Sequence, residues 1–179
     1  FFLLQFSARA QEYLLPKWQL SVAFFGESLT HSGVRIGLTT PIGTQATNDR
    51  GSHKAWVVGG YLSYYRHQRN HTGLMLTGSI GRQRIGENGF QTCFNLEGGY
   101  MLSRLDGEVY QWDGSAIEAG NKASSHFVIG VNGGAGWNFD RNTSLPLSVM
   151  VQPHLYLQAP YNTFAVPRWA LDLKVAYFL

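Results

Sequence analysis

Charge is scarce in this chain of 179 residues: Asp, Glu, Lys and Arg together make up only 14% of it, against about 25% in an ordinary soluble domain. So few charges would clothe a water-facing surface poorly. Cysteine is almost absent, Cys93 being the only one, which excludes a disulfide framework and any cysteine-based zinc site. No segment approaches the roughly 20 consecutive apolar residues of a spanning helix, and mean hydropathy is −0.14. A helical membrane protein is therefore excluded. The net charge of +3 is modest and the basic residues are scattered, without the basic stripe that nucleic-acid binding needs. What is abundant is glycine, at 21 residues, and aromatic side chains, at 14% within a hydrophobic share of 44%. That composition lies far from disorder and describes one domain of a glycine- and aromatic-rich β protein.

The chain opens Phe1-Phe2-Leu3-Leu4 and continues to Ala8-Arg9-Ala10. An apolar stretch before an A-x-A site reads as the tail of a signal peptide. The expectation is an exported chain, with residues 1–10 a leader remnant and 11–179 a single barrel domain.

From Trp18 onward, segments with an apolar residue at every second position alternate with Gly/Asn/Asp/Ser clusters, the signature of strands with two different faces. Arg168–Leu179 is the cleanest. Trp169, Leu171, Leu173, Val175, Tyr177 and Leu179 share one face, opposite Asp172 and Lys174. Trp169 and Tyr177 bracket the aliphatic stretch as girdle residues bracket the apolar band of a membrane strand. Phe90–Leu102, His126–Phe139 and Leu145–Leu157 follow the same rule, with a bulge or break expected at Pro153, which lacks a ladder donor. Trp18–Phe25, Val34–Thr39 and Gly73–Gln83 are shorter examples, and Lys54–Tyr65 is apolar on both parities, leaving its register open. These eight segments predict an all-β, eight-stranded antiparallel up-and-down transmembrane β-barrel. The polar parity is small and glycine-rich, which suits a narrow interior, and the bulky parity is left to face lipid. A soluble, lipocalin-like barrel with the bulky parity inside is the structural alternative. With a periplasmic N-terminus, Arg104–Ser125 becomes a long extracellular loop, and Gly86–Gly89 and Asp140–Ser144 short periplasmic turns. Thr40–His53 is the exception, a long periplasmic turn or a misplaced strand boundary.

In this pattern the stretch Trp18–Leu179 resembles the small eight-stranded outer-membrane proteins of Gram-negative bacteria, of the OmpA-transmembrane-domain and OmpX type. The aromatics Tyr177 and Phe178 near the end are similar to the signal read by the barrel-insertion machinery, although the last residue here is Leu179. Loops such as Asn70-His71-Thr72-Gly73 and Pro160-Tyr161-Asn162 are similar in style to small barrels of Bacteroidetes. The resemblance implies a bacterial outer-membrane location, with outer-membrane lipids, lipopolysaccharide and the insertion machinery as partners.

The register turns Arg35, Gln91, Asn95, Glu97, Asn132, Gln152, His154, Asp172 and Lys174 inward. They are expected to fill the lumen as an ion-paired and hydrogen-bonded plug, the competing reading being a small solute pore. The loop segment Asp106–Gly114 holds two Asp-Gly turn signals, with Tyr110 and Trp112 between them as recognition anchors. Arg66 and Arg69 in a basic second outer loop suit anionic lipopolysaccharide headgroups. Among enzymes of this barrel size, lipid A-modifying hydrolases or acyltransferases are the class to test. The candidates are His31 and Ser32 with Glu27, read as lying in the first outer loop, where a nucleophile would need a base and an orienting group. Adjacent strand residues face opposite ways, so this set is weak, and the reading is not an enzyme. The six histidines show no paired spacing on one face, and no cofactor or metal is expected. The function expected is a structural or surface-binding role, with the extracellular loops as the interaction site.

Overall fold

The computed structural model describes residues 18–28, 31–47, 51–68, 70–112, 114–143, 145–161 and 164–179, the side chains of Gln111 and Tyr161 excepted. The expected leader, 1–10, lies outside the described residues. Ten strands and one short helix follow in order: β1 (Gln19–Glu27), β2 (His31–Thr47), β3 (His53–His67), β4 (His71–Ile85), β5 (Phe90–Leu105), β6 (Tyr110–Trp112), β7 (Ile117–Ala119), β8 (Ala123–Asn138), α1 (Asp140–Thr143), β9 (Leu147–Tyr161) and β10 (Phe164–Phe178). Eight of these pair, each antiparallel to its neighbours, and β1 against β10 closes the barrel. Closure leaves no unpaired edge. The strands β6 and β7 form a separate hairpin in the 106–122 connection, with β6 between the two Asp-Gly signals and β7 beyond them.

The alternation read from the sequence sorts into two walls. Leu76, Phe94, Phe127, Ile129, Leu155 and Leu173 face outward and are more than half exposed or close to it, whereas Arg35, Asn95, Asn132, Gln152, His154 and Asp172 are buried inside. A water-soluble barrel would need the opposite arrangement, so the lipocalin-like alternative fails and the chain is a transmembrane barrel. Trp56, Phe90, Trp137 and Tyr177 mark one end of the apolar wall, and Tyr64, Tyr100, Phe127 and Trp169 the other; all are exposed. Trp56 to Tyr64 on β3 is eight residue steps, a rise of about 20 Å at ~3.3 Å per residue and ~40° tilt. No described helix is long and apolar enough to cross a membrane; the strands do the crossing.

Several open points of the sequence are resolved. Of the two readings of Thr40–His53, the misplaced strand boundary holds and the long turn fails, because β2 continues through Pro41 to Thr47. The apparent breakers are absorbed by a register shift between Ile42 and Ala46 and by Gly43, whose φ of +68° favours glycine. At Pro153 the expected break is found, though not a bulge: β9 runs through and stays paired to β10, but its ladder to β8 lapses opposite Pro153 and Gln152, passing from Asn132–His154 to Ala135–Val151 in unchanged register. The open register of the third segment resolves with His53, Ala55, Val57, Tyr61, Ser63 and Tyr65 inward and Lys54, Trp56, Leu62 and Tyr64 outward. At the hairpin end, residues 28–30, 68–70 and 162–163 are short connections, and only 106–122 is long. The orientation expected from the sequence, with a periplasmic N-terminus, puts this long loop at the extracellular end.

Candidate functional site: the lumen and its mouth

Because inward positions recur every second residue, the lumen is built in layers. The middle layer draws Arg35 from β2, Tyr61 from β3, Thr77 from β4, Glu97 from β5, Asn132 from β8, His154 from β9 and Asp172 from β10. Arg35 donates from Nη2 to Glu97 Oε1, which also accepts from the Thr77 hydroxyl. The other Glu97 oxygen accepts from Asn132 Nδ2 at 2.9 Å and lies 3.4 Å from His154 Nδ1. His154 Nε2 is 2.9 Å from Asp172 Oδ2, which faces Arg35 Nε at 3.6 Å. Asn95 donates to Asn132 Oδ1 at 2.7 Å. The guanidinium of Arg35 lies over the Tyr61 ring, 4.2 Å from its centroid. That ring fills space a side chain at Gly37 would occupy, since a Cβ there would stand 2.3 Å from it. Free space beside the network is about 10 Å³, room for about one water.

Of the residues expected in the lumen, the structure brings Arg35, Asn95, Glu97, Asn132, His154 and Asp172 into this one network. Gln91 and Gln152 lie a layer lower, donating to Met150 Sδ at 3.0 Å and to Cys93 Sγ at 2.7 Å. Lys174 faces inward, half-buried, with no ion pair among the described residues. Above the network a collar of Phe25, Tyr65, Met75, Met101, Val128 and Tyr156 is buried and apolar or aromatic, a layer that the polar-parity rule did not foresee.

Above the collar the barrel opens into a cavity of about 520 Å³. Glu27 and His31 occupy opposed positions on β1 and β2 at its base, not an outer loop as expected, and Ser32 faces outward from β2. His31 and Ser32 therefore face opposite ways, as expected of adjacent strand residues, and do not pair. Glu27, wholly buried, holds His31 Nδ1, Arg168 Nη1 at 3.4 Å and Tyr156 Oη at 3.5 Å. The rings of His31, His67 and His71 gather from β2, β3 and β4, with centroids 3.9 Å apart for His31–His67 and 5.7–5.8 Å for the other pairs. The view that the histidines do not share a face is thus corrected, because strand register rather than chain spacing assembles them. Among the described residues, however, no three His, Cys, Asp or Glu side chains are disposed to hold a metal ion.

Across the mouth, His126 Nδ1 contacts the carbonyl of Pro160, and its Nε2 lies 3.0 Å from Ser103 Oγ and 3.1 Å from Ser124 Oγ. A carbonyl only accepts, so Nδ1 carries the proton and Nε2 of the neutral ring accepts from a hydroxyl. The two serines oppose each other on β5 and β8, 2.7 Å apart. Lys122 and Arg168 add positive charge to the cavity wall.

The remaining expected residues lie outside the lumen. Arg66 lies on β3, one residue before its end, rather than in a loop, exposed and 3.8 Å from Asp106; Arg69 lies outside the described residues. Tyr110 and Trp112 project from β6, each 64% exposed, and Tyr110 donates to the Glu108 carboxylate. Trp169 and Tyr177 stand on the outer wall at its two ends, each 47% exposed.

No family model and no curated protein sequence matches the chain. Among solved structures it is similar to Neisserial surface protein A, with a TM-score of 0.55 and 13% identity over 90% of this chain and 96% of that one. The outer membrane enzyme PagL gives 0.49 and 14% over 90% and 99%, and the N-terminal barrel of Pseudomonas aeruginosa OprF 0.48 and 10% over 90% and 97%. At such identities the likeness is one of fold. The chain has the fold of the small eight-stranded outer-membrane β-barrels.

Proposed function

We propose that the protein resides in the outer membrane, binds a ligand at its extracellular mouth, and does not conduct through its lumen. The observation that supports this most is the mid-lumen layer of Arg35, Glu97, His154 and Asp172, mutually compensated beneath an open polar cavity. That cavity offers imidazoles, hydroxyls and the cations Lys122 and Arg168, a donor-rich set suited to a hydroxylated or acidic ligand such as a surface glycan or the sugar-phosphate of lipopolysaccharide. Exposed Tyr110 and Trp112 supply flat contact area beside it. The test pairs two measurements on protein in lipid. Planar bilayers are expected to show no steady conductance, and a glycan and lipopolysaccharide panel a ligand whose affinity falls about tenfold with Trp112→Ala or Lys122→Ala. Steady channels whose selectivity changes with Asp172→Ala or Lys174→Ala would instead establish the pore reading.

The hydrogen-bonded Ser103, Ser124 and His126 favour a second reading, an ester hydrolase acting at the mouth. An imidazole oriented through Nδ1 and offering Nε2 to a hydroxyl is the nucleophile–base half of a triad. A fluorophosphonate would then label Ser103 or Ser124 in the wild type but not in His126→Ala protein. An unlabelled protein that leaves lipid A mass unchanged removes the reading.

A further inference from the structure

Among the described residues of the outer wall, three cations gather at the lower edge of β3 and β4. On β3 and β4 the outward residues include Leu62, Trp56, Leu76 and Ile80, and the next outward positions toward the periplasmic end are Lys54, Arg82 and Arg84. Register makes them contiguous. Lys54 opposes Arg84 and Trp56 opposes Arg82, while on β5 Phe94 meets Arg82 and Thr92 meets Arg84. All three cations are exposed. Arg82 lies over the Trp56 ring, 5.5 Å from its centroid, and Arg84 Nε donates to Ser52 Oγ at 3.3 Å. Among the described residues none of the three reaches a carboxylate within ion-pair distance. Glu87 in the adjoining turn shares a cleft with Arg84 without such a pair.

Like charges at opposed cross-strand positions destabilise a sheet, and no described carboxylate neutralises them here. The surroundings point to what does. Lys54, Arg82, Arg84, Thr92 and Phe94 line a shallow cavity of about 280 Å³, next to the girdle residue Trp56, at the height where headgroups meet hydrocarbon. Above it Ile80 and Phe94 continue the apolar wall. A cationic recess at the lower edge of a lipid-facing surface matches a ligand with an anionic head and acyl tails.

We propose that Lys54, Arg82 and Arg84 form a binding site for the phosphate headgroup of an anionic phospholipid in the periplasmic leaflet. The two guanidiniums take phosphate oxygens in bidentate fashion, Lys54 adds a point charge, and the acyl chains lie along Ile80 and Phe94. The site differs from the mouth in leaflet and in strand end, so it stands whether or not a ligand is found there.

The test reconstitutes the barrel in nanodiscs of phosphatidylcholine doped with phosphatidylglycerol or cardiolipin, then counts retained lipids by native mass spectrometry. Wild type is expected to retain the anionic lipid in preference to phosphatidylcholine. Each single change, Lys54→Gln, Arg82→Gln or Arg84→Gln, should weaken retention about five-fold, equivalent to the ~1 kcal/mol of one basic side chain near an anionic surface. The triple variant should lose the preference, and Arg82→Lys with Arg84→Lys, which keeps the charge but not the bidentate fork, should keep a reduced preference above that of the triple variant, with heat-shifted mobility on SDS gels reporting that each variant is folded. Arg104→Gln, exposed at the opposite rim, should leave retention unchanged. Equal retention of both lipids by the wild type overturns the proposal, as does an unchanged preference in the folded triple variant. A preference lost in Arg104→Gln instead also overturns it and moves the anion site to the lipopolysaccharide side.

Discussion

Glu27 and Glu97 are carboxylates in the same lumen, both sequestered from bulk water, and their company differs. Glu97 is held by Arg35, whose side chain is only 4% exposed, and by Thr77, Asn132 and His154. Every partner is internal, and Asp172 joins the same cluster. Glu27 is held by His31, whose charge depends on protonation, and by longer contacts to Tyr156 and Arg168. Arg168 is 20% exposed and reaches the wall of the mouth cavity. The deeper carboxylate therefore belongs to a set whose partners are all internal, and the upper one to a set whose cation and imidazole also line the open cavity. Burial alone does not separate the two; the destination of their partners does.

The sharpest way to break this contrast is to neutralise the deeper group. Glu97→Gln leaves Arg35 buried without its closest counter-ion, a change expected to cost about 3–5 kcal/mol. Urea unfolding in lipid or micelles, followed by tryptophan fluorescence, reads the loss. Pairing the change with Arg35→Met should recover most of it, because an apolar replacement removes the orphaned charge as well. A Glu97→Gln barrel as stable as wild type would show that the middle layer is not a compensated unit.

Glu27→Gln is expected to cost less, about 1.5–3 kcal/mol for the charge-assisted hydrogen bonds lost, since Arg168 can turn to water in the cavity. Its larger consequence should be on ligand affinity at the mouth. If Glu27→Gln unfolds the barrel as readily as Glu97→Gln, the mouth is as much a structural element as the middle layer, and the contrast collapses.

How far this division is legible in the sequence depends on which residues carry it. The middle layer is legible, because Glu97 and Asp172 interrupt long alternating segments whose other face is bulky and apolar. Period two then assigns their side without knowledge of pairing. The mouth is not, because His31, His67 and His71 meet only through the registers of β2, β3 and β4, which no local pattern states. Ser103 and Ser124 are likewise joined by a ladder position across the long loop. Nor does parity mark the collar. Phe25, Tyr65 and Met101 occupy inward positions, where a rule that equates inward with polar expects something else, and Lys54–Tyr65 reads as ambiguous for that reason. Pro41 and Gly43 hide the far half of β2, since a proline and a left-handed glycine look like a turn until the register shift that accommodates them is seen.

The smallest effect isolates pairing from position. Lys174 and Arg35 both point into the lumen, but Arg35 is ringed by carboxylates whereas Lys174, two positions along β10 from Asp172, is half-buried with no ion pair among the described residues. If mutual compensation rather than the mere presence of lumenal charge holds the barrel together, Lys174→Met removes nothing that another group depends on. Stability should then stay within about 0.5 kcal/mol of wild type by the same unfolding measurement. Met is close to Lys in length and keeps most of its apolar stem, so packing changes little and the comparison reads charge. A loss approaching that of Glu97→Gln would mean that Lys174 compensates the Arg35–Glu97–Asp172 cluster from below, and the closed layer would have to be redrawn to include it.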